Sequence, residues 1–218
     1  MRVYKIKSVL YFLKKGKLKF ILNGIRKRIY SEIICLGVKR DLNNNFQSPD
    51  SKIKIKTRLF KKSDGIYFAH DNHNYGLIEE DIKNCYVATT INDIPCFRIW
   101  IMESSQNSKI QSFFPGNFPS LNKNELLVEA AFTLPEYRGN RILSTAINKI
   151  IENNNNRARY LLAFIDIKNV NSLKGYKHSG FDPYLLRVEK WFFFSKRVYF
   201  SDIPKEIQEK YLSDTSGI

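Results

Sequence analysis

The sequence lacks any uninterrupted apolar run near the ~18 residues that a membrane-spanning helix needs, so a spanning segment is not expected. Cysteine is scarce: Cys35, Cys85 and Cys96 form an odd, scattered set without a CxxC pair. That argues against a disulfide framework and a cysteine zinc site, and fits three small buried residues in a reducing, cytoplasmic compartment. Internal repeats are absent. Acidic residues are nearly missing from the first 42 positions, where twelve Lys or Arg face only Glu32 and Asp41. This segment therefore carries a net +10 of the chain's +15. An uncharged h-region is missing too, because Lys5, Lys7, Lys14, Lys15, Lys17 and Lys19 interrupt the N-terminus, so no signal peptide is expected.

What is present is ordinary globular composition, with 43% hydrophobic and 26% charged residues over 218 positions. That is enough for one domain with its own core. Residues 1–42 read as a basic amphipathic helical extension. Ile6, Val9, Leu10 and Leu13 share one helix face, and Phe20, Ile21, Ile25, Ile29, Ile33 and Ile34 resume the pattern after Gly16, with Gly16 and Gly24 as kinks or ends. Such a helix suits peripheral contact with an anionic membrane surface; its apolar stripe suits docking on the protein's own body equally well. Nucleic acid is the weaker third partner, with Tyr4, Tyr11 and Tyr30 available for stacking. The polar run 43–51 reads as a linker, and the body is expected over 53–212.

In the body, residues 53–59 alternate as a half-buried first strand. Two further strands are expected over 83–90 and 94–103 around Asn92-Asp93, then a polar loop over 104–123. A central strand from Glu125 to Thr133 leads past Pro135 into a helix over 139–151, closed by the asparagine run 153–156. A buried strand from Tyr160 to Ile165 precedes a short helix over 170–178 with Gly180 as its left-handed end. Strands 184–194 and 197–201 and a helix over 204–212 complete the chain. This order predicts an α/β fold, a mixed central sheet with parallel crossovers and flanking helices.

Two stretches carry chemistry. In Phe132-Thr133-Leu134-Pro135-Glu136-Tyr137-Arg138-Gly139-Asn140-Arg141-Ile142, a strand runs through a tight turn into a helix. The free amides of a helix start, with Arg138 and Arg141 beside them, suit a diphosphate; an ordinary strand–helix connection is the alternative. The second stretch, Asn169 to Phe181, follows the next buried strand, where open α/β sheets bind ligands.

Together these stretches resemble the GNAT superfamily of acyl-CoA-dependent N-acyltransferases. The first is similar to its acyl-CoA motif V-x-P-x-Y-R-G-x-G-x-G. The second is similar to N-x-x-S-x-x-x-Y-x-x-x-G-F, matched at Asn169, Ser172, Tyr176, Gly180 and Phe181. The finer wording resembles a branch found in bacterial surface-polysaccharide pathways. The resemblance spans roughly 53–201. It implies a GNAT-like mixed sheet with splayed parallel strands, and acetyl-CoA or another acyl-CoA as co-substrate, with no metal. Backbone around Phe132 and Thr133 would bond the pantetheine arm. The amides of Arg138, Gly139, Asn140, Arg141, Ile142 and Leu143 would hold the diphosphate. Asn169 would face the pantetheine or acyl end, Ser172 would set the second helix, and Tyr176 would protonate the leaving thiolate.

Two departures stand out. Arg141 and Leu143 replace the family's second and third glycines, where a Cβ restricts close approach of a diphosphate. Tyr176 is often not tyrosine in the polysaccharide branch, so packing is its alternative role. The implied reaction is attack of a neutral amine on the thioester, with the oxyanion held by a backbone N–H. Glu129 is the candidate base, because alternation puts it on Thr133's face; Glu125 is second, and an edge or surface glutamate is the alternative. His70, His73 and His178 are further candidates, His178 expected as an exposed helix residue and the other two without a third metal ligand. The expected acceptor is a primary amine, most simply a nucleotide- or lipid-linked amino sugar, with the enzyme cytoplasmic or peripheral at the inner membrane face. The competing reading is a catalytically inactive GNAT-fold protein that binds acyl-CoA, nucleic acid or membrane. A homodimer stays open.

Overall fold

The computed structural model describes residues 13–14, 16–44, 46–69, 75–79, 81–154 and 158–216. In chain order the elements are α1 (Leu18–Ile29), β1 (Tyr30–Asp41), β2 (Ile55–Leu59), a 3-10 turn (Lys62–Ile66), α2 (Tyr75–Glu79), β3 (Cys85–Thr90) and β4 (Pro95–Glu103). Then follow α3 (Asn107–Phe113), β5 (Glu125–Thr133), α4 (Ile142–Asn153), β6 (Tyr160–Asp166), α5 (Val170–His178), β7 (Asp182–Phe192), β8 (Ser195–Ser201) and α6 (Lys205–Thr215).

Every residue of β4 except Glu103 is buried. A strand apolar on both faces needs a layer on each side, and the molecule supplies both. Phe97, Ile99 and Ile101 join one core with Ala146, Ile147 and Ile150 of α4, Leu173 and Tyr176 of α5 and Tyr211 of α6. Trp100 and Met102 join the opposite core with Leu77 of α2, Ile110 of α3, and Phe118 and Leu121. The eight strands run in the order β2-β3-β4-β5-β6-β1-β7-β8. β5 and β6 pair in parallel and the remaining neighbours antiparallel, so the expected mixed α/β sheet is present.

The N-terminal region departs from the sequence expectation. Ile6, Val9 and Leu10 lie outside the described residues. Helix ends at Ile29, and residues 30–41 form β1, placed between β6 and β7 and paired to both. The extension over 1–42 is therefore corrected: its residues 30–41 belong to the sheet. The cause is the apolar run Ile33-Ile34-Cys35-Leu36, whose β-branched residues suit a strand buried on both faces as well as a helix face. Gly24 lies inside α1 rather than at its end. The linker over 43–51 is also not a boundary. It carries the chain across the sheet from β1 to the edge strand β2, pinned to α4 and the turn before it. Ser51 N donates to Thr145 Oγ1 at 2.7 Å, Lys52 N to the Asn140 carbonyl at 3.0 Å, and Asn148 Nδ2 to Ser48 Oγ at 3.2 Å. The polar loop over 104–123 contains α3, held by Ile110 in the core and by the Asn107 amide, which exchanges two hydrogen bonds with Leu121.

Gly37 sits where β1 is most crowded. A Cβ there would lie 2.8 Å from Leu185 Cδ1 and 3.1 Å from Phe164 Cε1, at a register shift in the β1–β7 ladder. Gly37→Val is expected to lower unfolding free energy by about 1–3 kcal/mol in urea titrations, the range for overpacking a filled core.

Candidate functional site

The β5–β6 ladder covers only Glu125–Leu127 against Tyr160–Leu162. Beyond it the two strands part, leaving the backbone of residues 128–133 unpaired on the β6 side. The parting opens a cleft of about 840 Å³. Phe132 and Thr133 line it from β5, the 138–144 segment from the start of α4, and Asn169, Ser172 and Tyr176 from α5. Eleven of the twelve residues expected at the site line this cleft, Tyr176 among them; Glu129 alone does not.

The electrostatics are one-sided. Among the described residues, Lys52, Arg138, Arg141 and Lys174 line the cleft and no carboxylate does. The amides of Gly139, Asn140 and Arg141 have no backbone partner among the described residues. With the start of α4 behind them, they form a cationic mouth for a polyanion. Arg138 departs in part from expectation. Its amide already donates to the Pro135 carbonyl at 3.3 Å, and its Nε to the Thr133 carbonyl at 3.3 Å, so its contribution is side-chain charge. Gly139 has φ +78° with open space where a Cβ would stand, leaving the backbone accessible. Two buried polar atoms of cleft residues, Ser144 Oγ and His178 Nε2, have no hydrogen-bond partner among the described residues. Unpaired amides and an unpaired hydroxyl beside four cations fit a phosphorylated ligand such as CoA.

The two missing glycines have structural answers. Arg141 adopts the left-handed conformation (φ 57°, ψ 31°) at the cap of α4, strained for a residue with a Cβ, and its side chain is exposed. Leu143 leans onto Gly175, where a Cβ would come within 3.2 Å of Leu143 Cδ2. The bulk of Leu143 is thus taken up by a glycine on the facing helix.

On α5, Asn169 Oδ1 caps the helix by accepting from the Ser172 amide at 3.2 Å, so that oxygen is occupied. Tyr176 is buried in the core edge-on to Phe181. Burial, with the Glu129 carboxyl nearby, pushes its phenol above the ordinary range and keeps it protonated. His178 is half-buried and lines the cleft, not exposed as expected. Burial, then Arg141, Lys177 and Lys174, lowers its pKa and keeps the ring neutral.

Glu129 corrects the alternation argument. Glu129 pairs with Trp100 but Phe132 pairs with Arg98, so β5 carries one extra residue between them. The bulge contains Ala130 at φ 55° and moves Glu129 to the Trp100 face, opposite Thr133. There, burial pushes its carboxyl up to about 7, against the Arg187 guanidinium and the hydrogen bond from the Ala130 amide. Glu129 and Tyr176 thus flank the strand gap from opposite sides. Glu125 also remains half-buried at the start of β5.

Sequence reasoning missed Lys52, Ser144 and Lys174. Lys174 lies within the singled-out second stretch, three residues from Asn171 on the cleft side; Lys52 had no signal, because only the strap's path brings it there. His70 and His73 lie outside the described residues. The thiols are free, with burial pushing Cys85 up to about 12 and Cys96 to about 11, which removes nucleophilic thiolate. Among the described residues no group of three or more His, Cys, Asp or Glu could hold a metal ion.

No protein-family model matches the chain, and no curated protein matches it in sequence. Solved structures do match. A GCN5-related glucosamine N-acetyltransferase region of a fungal multi-domain GH3 β-N-acetylglucosaminidase superposes with a TM-score of 0.52 and 14% identity, covering 91% of this chain and 23% of that one. A GNAT-family acetyltransferase from Colwellia psychrerythraea has a TM-score of 0.49 and 12% identity, over 80% of this chain and 61% of that one. A GCN5-related N-acetyltransferase from Sphaerobacter thermophilus has a TM-score of 0.47 and 10% identity, over 84% and 57%. The chain spans less than two thirds of each. With a parting pair of parallel strands and a cationic turn at the start of the following helix, this chain has the fold of the GCN5-related N-acetyltransferases.

Proposed function

We propose that the protein transfers an acyl group, in the simplest case acetyl, from acyl-CoA to a primary amine. One observation carries the reading: a cleft with four cations, no carboxylate and unpaired amides opens onto the gap between β5 and β6. The diphosphate lies at residues 139–144 beside Arg138 and Arg141. The pantetheine arm runs along the free edge of residues 128–133 and brings the thioester to the gap. There the neutral amine attacks the carbonyl carbon. The C–N bond forms, the C–S bond breaks, Glu129 takes the amine's proton and Tyr176 protonates the thiolate. The acceptor we favour is an amino sugar of a surface glycan, nucleotide- or lipid-linked. The glucosamine specificity named for the fungal region supports that choice. The enzyme works in the cytoplasm, at the inner membrane face when the acceptor is lipid-linked.

The deciding experiment is thiol release from acetyl-CoA against a panel of nucleotide amino sugars and simple amines. Turnover with one class establishes the reaction. Acetyl-CoA binding by calorimetry without turnover on any amine leaves an inactive binding protein, and no binding at all removes the CoA site. Arg138→Ala is expected to weaken acetyl-CoA binding by about 1–3 kcal/mol, the range for a charge-assisted contact.

Glu129 gives opposite pH dependences for turnover and stability. The carboxylate needed as base forms as pH rises through about 7, so kcat/KM falls on the acid side with a midpoint there. Glu129→Gln removes this limb and lowers turnover by about 10²–10⁴. Folding reads the same shift the other way. The native state holds a proton that the unfolded chain releases from about 4.5 upward, so native stability declines between about 4.5 and about 7. Glu129→Gln is therefore expected to gain stability over the parent across that window, with a constant difference above it, in denaturation curves at several pH values.

A further inference from the structure

Acyl transfer makes no use of the surface at the far end of the sheet. On α1, Leu18, Leu22, Ile25 and Ile29 fall within one narrow stripe at 100° per residue, and each is between 41% and 63% exposed. Among the described residues this stripe is not docked on the body. The helix turns its Phe20, Ile21 and Gly24 side inward instead. Lys19 and Arg26 flank the stripe on one side, Lys17 and Arg28 on the other. The acid-free stretch 1–29 holds ten Lys or Arg.

A second feature joins it. The β7–β8 hairpin closes through Phe193 and Phe194, with φ 40° and 64°. A two-residue turn with both φ positive favours Asn-Gly, and two aromatic residues there are strained. Phe192, Phe193 and Phe194 are nonetheless 59% to 69% exposed. The turn is bonded to the end of α1: Phe193 N donates to the Ile29 carbonyl at 2.9 Å and Phe194 N to the Arg28 carbonyl at 2.7 Å. The helix stripe and the aromatic turn are thus one contiguous surface, apolar within a basic rim.

We propose that α1 and the Phe192–Phe194 turn form a docking surface for an anionic lipid bilayer. Aromatic and aliphatic side chains enter the acyl–headgroup boundary while basic side chains reach the headgroup charge. A second copy of this chain is a poor occupant, because self-pairing would bring two rims of the same sign together. The proposal stands independently of acyl transfer, and its test involves no turnover.

The test is co-sedimentation of the full chain with phosphatidylcholine vesicles, with and without phosphatidylserine. Binding is expected only with phosphatidylserine and should weaken as salt rises. Lys19→Gln/Arg26→Gln should lose about 25-fold in affinity, since each basic residue near such a surface contributes about fivefold. Phe193→Asn/Phe194→Gly fits the turn's backbone and so preserves the fold; it should lose about tenfold or more with an unchanged or raised melting temperature. The proposal fails if the parent ignores phosphatidylserine vesicles at low salt, or if the aromatic variant binds like the parent. It also fails if the same substitutions abolish only self-association or RNA binding.

Discussion

The sheet depends on the pairing of β1 with both β6 and β7. Apart from β1, β6 is tied to the sheet by a three-residue parallel ladder, and β7 only by the hairpin with β8. β1 fills the slot between them, bonded along ten register positions to β7 and seven to β6. Buried backbone donors and acceptors must be satisfied, so without β1 the interior edges of both strands would be left unpaired. The packing follows suit. Leu36 and Val38 enter the core beneath α4 and α5, and Cys35 enters the opposite core. At the end of β1, Arg40 reaches Asn148 of α4 at 2.7 Å, and Asp41 meets Arg159 at 3.1 Å.

The short β5–β6 ladder makes the cleft. Parallel strands held over three residues and then released leave a backbone edge that a ligand can pair with. The bulge at Ala130 adds a second effect, since an extra residue turns the following side chains over. It sends Thr133 to one face and Glu129 to the other, so the two side chains stand on opposite sides of the sheet. The strain at Arg141 belongs to the same design. A charged residue in a conformation suited to glycine keeps its guanidinium at the cleft mouth, while Gly175 across the cleft accommodates Leu143.

Much of this was legible in the sequence. The strand–turn–helix over 125–153 and the Asn169–Phe181 segment have strong periodicity and sharp stops at Pro135 and Gly180, and their residues do converge. What escaped was non-local. Ile33 to Leu36 fits both helical and strand spacing, and only the slot between β6 and β7 decides. A bulge leaves no mark in a run such as Glu129-Ala130-Ala131-Phe132, yet it reverses every facing inferred past it. Lys52 belongs to the cleft because a polar strap crosses the sheet, and Ser48 and Ser51 look no different from linker residues until their bonds to α4 are seen. Even the charge changed meaning. The segment 30–42 is neutral on balance, so the whole +10 resides in residues 1–29.

The placement of β1 also sets an order of events during synthesis. Cys35 lies opposite Asp166, about 130 residues further along the chain, and Tyr30 opposite Phe192. β1 precedes both of its partners in the chain, so it has no neighbour in the sheet until β6, beyond residue 160, has been made. Through that interval its apolar residues must be shielded by something other than their native neighbours. The slot that β1 fills is built by strands that follow it in the chain by more than a hundred residues.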